Sequence, residues 1–280
     1  MFQPDALYDI LIVDDEPGLL NLARIYLDME GGFRITIAGS AKQALELIAA
    51  HHFDAVISDY QMPGMDGIEL LRHLRSRQIN VPFVLFTGRG REDVAIAALN
   101  SGADFYIQKG GEPKAQFAEL KHAIIYSIHR KGAEELVQSI VDNAPLMIMI
   151  IDEERRIQTF NKGVLEFTEL SPQEIIGLRC GDAFDCGNSK ENGNGCGFSS
   201  HCDECRLWEA IQRAITKGER CLRVEAVLPT PDADGNGKTV LMVSTAPIRA
   251  FGKNLALVFL EDFTGFRRKQ PAEHAMFGHN

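Results

Sequence analysis

Five side chains that suit phosphoryl chemistry lie at the ends of four separate apolar runs. Asp59 closes Ala55–Ser58, Asp14 and Asp15 close Ile10–Val13, Thr87 follows Phe83–Phe86, and Lys109 comes just after Phe105–Ile107. Three carboxylates placed together repel one another and raise their own pKa values unless a cation joins them. A hard divalent ion removes that repulsion, and Mg²⁺ favours one or two carboxylates, waters and a phosphoryl oxygen. Asp59 is then a nucleophile that forms an aspartyl phosphate. Lys109 neutralises phosphoryl oxygens, Thr87 supplies a hydroxyl, and Gly88 leaves room for the incoming group. Phosphoryl transfer asks a protein mainly for positioning and charge stabilisation, so so short a set is sufficient.

The elements that must position this set follow from periodicity. Ile10–Val13, Ile35–Ala38, Ala55–Ser58, Phe83–Phe86 and Phe105–Ile107 read as short strands. Between them, apolar residues recur at helical spacing: Leu19, Leu22, Ala23 and Tyr26; Ala41, Ala44, Leu45 and Ile48; Ile68, Leu71 and Leu74; Val94, Ala97 and Ala98. Ser40 is the expected N-cap of the second helix. A fifth helix starts near Pro113 and carries Phe117, Leu120, Ile124 and Ile128. Strands that are apolar throughout and alternate with helices belong in a parallel sheet covered on both faces. The expected fold is therefore an α/β, five-stranded, doubly wound parallel sheet. Ligands bind beyond the carboxyl ends of such strands, which is where all five side chains fall.

Bulk properties narrow the function classes. The chain has 280 residues, enough for about two domains. A formal net charge of −10 argues against a nucleic-acid surface. No apolar stretch approaches the roughly 20 residues of a membrane span. The start, Met1-Phe2-Gln3-Pro4-Asp5, lacks the features of a signal peptide, so the expected location is cytoplasmic.

The runs Ile12-Val13-Asp14-Asp15-Glu16, Ser58-Asp59-Tyr60-Gln61-Met62-Pro63-Gly64-Met65-Asp66-Gly67, Phe86-Thr87-Gly88 and Ile107-Gln108-Lys109-Gly110 resemble the signatures of response-regulator receiver domains, in order and spacing, over about residues 7–130. The resemblance implies a flavodoxin-like fold and a two-component phosphorelay in which a sensor histidine kinase phosphorylates Asp59. It implies Mg²⁺ held by Asp15, Asp59 and the backbone carbonyl of Gln61, with Asp14 acting through water. It implies that Thr87 bonds to the new phosphoryl group and that Tyr106, at the switch-aromatic position, rotates inward behind it. Haloacid-dehalogenase-type phosphatases use a similar residue set, but their nucleophile lies in an Asp-x-Asp pattern on the first strand. Here the isolated Asp lies on the third. The expectation is thus a phosphoacceptor that assists its own phosphorylation and dephosphorylation, and not a turnover enzyme.

Residues 131–140 are polar and contain Gly132, and they read as a linker in which helix is allowed. Leu120, Ile124 and Ile128 would also suit the start of a homodimer seam, although three apolar positions make no coiled coil. From about 141 to 265 the rhythm changes. Leu146–Ile151 and Ile157–Phe160 read as a hairpin across Glu153-Glu154-Arg155-Arg156, and Asn161–Phe167 and Leu207–Thr216 as helices. Ser171-Pro172-Gln173-Glu174 is a capping box. Long strands are expected near Arg220–Leu228, Thr239–Arg249 and Leu255–Asp262. Asp234-Gly235-Asn236-Gly237 and Gly252-Lys253-Asn254 should form their turns. With Ile140-Val141-Asp142-Asn143-Ala144-Pro145, Phe160-Asn161-Lys162, Ser171 to Gly177 and Glu261-Asp262-Phe263-Thr264-Gly265, this half resembles an α+β PAS domain built on an antiparallel sheet. That likeness names no ligand.

A cysteine-rich insert occupies residues 180–205. Cys202 and Cys205 are spaced to share a tetrahedral metal, and Cys186 and Cys196 could complete a zinc site, with His201 or Cys180 as substitutes. The same thiols are alternatively redox-active, disulfide-forming, or plain packing residues. Cys221, within a strand, reads as core. About fifteen residues follow Thr264, a tail in which no DNA-binding output module is expected. The output would then be association with a downstream signalling protein. The alternative is a redox- or metal-sensing PAS adaptor in which the receiver is a modulatory or scaffold module.

Overall fold

The computed structural model describes residues 7–88, 92–191, 193–231 and 237–265, and the chain divides into two compact units, 1–136 and 137–280. The first runs β1 (Tyr8–Val13), α1 (Pro17–Glu30), β2 (Phe33–Ala38), α2 (Ala41–Ala50), β3 (Ala55–Ser58), α3 (Gly67–Ser76), β4 (Phe83–Thr87), α4 (Glu92–Asn100), β5 (Phe105–Gln108) and α5 (Pro113–Asp142). Its strands pair in parallel in the order β2-β1-β3-β4-β5.

Alternation along each strand sends neighbours to opposite faces. Leu11, Val13, Val56, Phe83 and Leu85 pack with residues of α2, α3 and α4. Ile10, Ile12, Ala55, Ile57, Val84 and Ile107 pack with residues of α1 and α5. Both faces are therefore dry, which is why the strands read as unbroken apolar runs. Local signals fix the helix starts. Ser40 Oγ accepts from the N–H of Gln43, and Asp66 and Glu69 exchange reciprocal hydrogen bonds at the start of α3. The second of these caps was not expected from sequence.

Helix α5 is longer than its apolar stripe suggests and is helical across residues 131–140. Leu136 and Ile140, on its later turns, are exposed.

The second unit comprises β6 (Met147–Ile151), β7 (Ile157–Phe160), α6 (Lys162–Thr168), α7 (Pro172–Ile175), α8 (Cys180–Ala183), α9 (Gly187–Lys190), α10 (Arg206–Lys217), β8 (Cys221–Pro229), β9 (Lys238–Ala250) and β10 (Lys253–Asp262). Its antiparallel sheet has the order β7-β6-β10-β9-β8. One face packs against Leu207, Ala210, Ile211, Ala214 and Ile215 of α10, a stripe at helical spacing. The Ser171 N–H and hydroxyl both donate to the Glu174 carboxylate, which lowers the pKa of Glu174. The β9–β10 turn is not Gly252–Asn254. Ala250 pairs with Lys253, leaving Phe251 and Gly252 as a two-residue loop, both with positive φ, the geometry whose twist matches a hairpin. The expected turn at Asp234–Asn236 and the tail 266–280 lie outside the described residues.

Candidate functional site

Strand order places the acidic residues. In the sequence 2-1-3-4-5 the winding reverses between β1 and β3, and a crevice opens beyond their carboxyl ends. Asp14 follows β1, and Asp59 follows β3. Register locks them side by side, because the Asp59 N–H donates to the Val13 carbonyl at 2.8 Å. Lys109 follows β5, and its N–H donates to the Thr87 carbonyl at 2.7 Å, so the two residues lie side by side at the ends of β5 and β4.

The side chains then converge. Lys109 Nζ donates to Asp14 Oδ2 at 2.6 Å and to Asp59 Oδ1 at 2.7 Å. The remaining oxygens are held by backbone amides: the Gln61 N–H donates to Asp59 Oδ2 at 2.6 Å, and the Glu16 N–H to Asp14 Oδ1 at 2.8 Å. Asp14, Asp59 and Thr87 are buried, and Asp15 is exposed. Burial works to depress the Lys109 pKa. The hydrogen bonds and charges of Asp14 and Asp59 outweigh it, and the ammonium titrates above its ordinary value. Lys109 thus stays a cation while spanning both carboxylates.

Gly67 is required by this geometry. A Cβ there would lie 2.2 Å from the Asp59 carbonyl oxygen and 2.9 Å from Leu85 Cδ1. Gly88 is different: among the described residues, the nearest atoms to a Cβ would be those of Lys109 at 4.0 Å. The Tyr106 ring is half-buried on the face that carries Leu85, and its hydroxyl is buried with no hydrogen-bond partner among the described residues.

Among the described residues, no three His, Cys, Asp or Glu side chains are placed together to hold a metal ion. This corrects the zinc expectation: Cys186, Cys196, Cys202 and Cys205 line one cavity together with Cys180, but they do not assemble as a metal site. The Cys196 sulfur instead packs against Gly181, the residue after Cys180. At the acidic crevice the reason is different. The ammonium of Lys109 joins two of the carboxylates, while Asp15 and Gln61 line an adjoining open depression. The donors there are all oxygen, and one ammonium leaves the three carboxylates with an excess of negative charge. That chemistry fits Mg²⁺.

Residues 10–121 match the family model of the response regulator receiver domain, and residues 145–265 match a PAS domain model. The chain is a receiver domain followed by a PAS domain. Curated relatives of the receiver half include the transcriptional regulatory protein GlrR of Escherichia coli (strain K12), 30% identical over 56% of this chain and 35% of GlrR. They also include FixJ of Bradyrhizobium diazoefficiens, 28% identical over 59% of this chain and 82% of FixJ. The chain thus spans about a third of the length of GlrR. Among solved structures, the FixJ-N crystal structure is 30% identical and aligns with 46% of this chain and 96% of that one at a TM-score of 0.40. A Clostridium thermocellum receiver domain is 29% identical, over 45% and 98%, at 0.41. Receiver domains generally bind Mg²⁺ at the phosphorylation site and interact with sensor histidine kinases, so this receiver–PAS chain carries the modules of two-component signalling. No helix among the described residues is long and apolar enough to cross a membrane.

Of the receiver residues singled out from sequence, Lys109 joins Asp14 and Asp59, Thr87 pairs with Lys109 through the backbone, and Asp15 is exposed in the depression that Gln61 also lines. Sequence reasoning missed Arg155 and Trp208 in the PAS unit. Arg155 was read only as part of a turn. Its guanidinium stacks 4.2 Å from the Trp208 ring beside the cysteines, and no local pattern announces that pairing.

Proposed function

We propose that this receiver–PAS protein accepts a phosphoryl group on Asp59 from a histidine kinase, with Mg²⁺ held by Asp14, Asp15, Asp59 and the Gln61 carbonyl. The observation that carries this reading is the Lys109 ammonium bridging Asp14 and Asp59 at 2.6 and 2.7 Å. An Asp59 carboxylate oxygen attacks phosphorus while the bond from phosphorus to the kinase's histidine nitrogen breaks. The Gln61 N–H keeps the other oxygen aligned. Lys109 then passes from the carboxylate to the transferred phosphoryl oxygens, and Thr87, beside Lys109 at the strand ends, donates its hydroxyl. The bound cation supplies neutralisation of charge on the phosphoryl oxygens.

The protein assists its own phosphorylation and dephosphorylation and has no separate turnover substrate. The nucleophile's place after the third strand supports this over a haloacid-dehalogenase-type phosphatase. The net charge of −10 supports an output through association with a downstream protein rather than through DNA. Incubation with a small phosphodonor and Mg²⁺ should raise the intact mass by one phosphoryl group, and Asp59→Asn should abolish the rise. An unchanged wild-type mass, or sustained hydrolysis of generic phosphate esters, would overturn the reading.

A further inference from the structure

The PAS unit contains a second chemical site, remote in sequence from Asp59. Five thiols, Cys180, Cys186, Cys196, Cys202 and Cys205, line one cavity of about 320 Å³. Its rim includes the exposed residues His201, Glu204 and Arg206, so a small solute can enter. Within this set two thiols are singled out by position. The Cys196 sulfur lies against Gly181, the residue after Cys180, and both cysteines are buried. This approach depends on Gly181, where a Cβ would lie 2.7 Å from Cys196 Sγ. Cys196 is fixed from both sides of its backbone. Its N–H donates to Asp182 Oδ1 at 2.8 Å, and its carbonyl accepts from Arg179 Nη1 at 2.8 Å.

A cation faces the same sulfur. The Arg155 carbonyl accepts from the Cys180 N–H at 3.0 Å, which ties the β6–β7 turn to α8. The Arg155 guanidinium lies on Trp208 and against Gly197, the residue after Cys196, where a Cβ would stand 3.0 Å from its Nε, and its Nη1 is buried without a partner among the described residues. A guanidinium held against an aromatic face beside a thiol is an environment for a thiolate.

We propose that Cys196 and Cys180 form a peroxide-reactive pair in which Cys196 is the attacking thiolate and Cys180 the resolving thiol. In the first step the Cys196 sulfur attacks one oxygen of hydrogen peroxide and the O–O bond breaks. Hydroxide leaves and takes up a proton as water, and Cys196 becomes a sulfenic acid. In the second step the Cys180 sulfur attacks the Cys196 sulfur, the S–O bond breaks, and a second water leaves with the Cys180 proton. Two thiols are oxidised to one disulfide, and one peroxide is reduced to two waters. The titration order agrees with these roles. The Cys180 hydrogen bond lowers the Cys196 pKa to about 6 against the opposing effect of burial, with the Gly181 amide and Arg155 adding to the lowering. Cys180 is raised, so it keeps the shared proton. Cys186 and Cys205 are both raised by burial and make poorer nucleophiles.

The test uses the full chain. Brief hydrogen peroxide, followed by N-ethylmaleimide and peptide mapping, should give a Cys180–Cys196 cross-link that dithiothreitol reverses. Cys196 in the untreated protein at neutral pH should be alkylated about tenfold faster than an ordinary thiol, because most of it is ionised. Cys180→Ser should leave Cys196 as a sulfenic acid trapped by dimedone, and Cys196→Ser should abolish cross-linking. Should a variant fail to fold, the wild-type cross-link map decides alone. The proposal is overturned if both thiols remain fully alkylatable after peroxide, if the cross-link joins Cys202 to Cys205 instead, or if native mass spectrometry finds a metal that blocks the thiols.

Discussion

Replacing Lys109 by Met keeps most of the side-chain volume and removes the ammonium that joins Asp14 and Asp59. At an effective dielectric near 20, a unit charge pair at 2.7 Å attracts by about 6 kcal/mol, so the two contacts sum to about 12 kcal/mol gross. Desolvation of two buried carboxylates and a half-buried ammonium offsets most of that. What remains when one partner of a buried pair is deleted is typically about 3–5 kcal/mol, because the surviving charges are left uncompensated. Lys109→Met should therefore destabilise the receiver by about 3 kcal/mol in chelator. The chain's one tryptophan, Trp208, lies in the PAS unit, so fluorescence would follow the wrong unit. Hydrogen exchange on peptides spanning β1 and β3 is the appropriate assay. Added Mg²⁺ at a hundred times its dissociation constant should return about 2.7 kcal/mol. The sign with pH also follows. The folded-state pKa of Lys109 is raised, so its contribution is fully present at neutral pH and is lost only as pH rises through the alkaline lysine range. The variant should lose that alkaline dependence. A loss below about 0.5 kcal/mol, the range of exposed ion pairs, would refute the view that this lysine holds the crevice together.

Gly67→Ala should lower receiver stability by about 3 kcal/mol or more, read as a drop in the receiver's thermal midpoint, since a Cβ 2.2 Å from the Asp59 carbonyl forces the backbone apart. Tyr106→Phe should stabilise the receiver by up to about 1 kcal/mol in urea unfolding, because it removes a buried hydroxyl that has no partner among the described residues. Arg155→Gln should raise the pH midpoint of Cys196 alkylation above about 6, since the lost cation lowers that pKa in the native protein. An unchanged midpoint would mean the guanidinium only packs on Trp208.

The receiver fold was readable because each of its signals is local. Buried parallel strands must be apolar on both faces, so Ile10–Val13 and Ala55–Ser58 announced themselves, and the stripes between them could only be covering helices. The parallel-sheet rule then sent every strand-end side chain to one edge. That is why Asp14, Asp59, Thr87 and Lys109 could be grouped without coordinates. Strand boundaries were less legible: β1 and β2 each begin two residues earlier than their apolar runs, because the polar residues Asp9 and Arg34 interrupt the pattern after Tyr8 and Phe33. The length of α5 was hidden too, because exposed turns need no apolar stripe.

The cysteine insert shows the opposite case. Spacing alone grouped Cys186, Cys196, Cys202 and Cys205, since Cys-x-x-Cys is a short-range metal signal. Cys196 packs instead beside Cys180 and Gly181, about fifteen residues away in sequence, and the nearby charge comes from Arg155 in another turn. Sequence by itself determined the sheet, its dry faces and the acidic edge, because hydrophobic period and strand polarity are properties of contiguous residues. Only the tertiary structure decided which cysteines lie together, where Tyr106 points and how Lys109 divides itself between two carboxylates, because each depends on distances between segments that no local pattern encodes.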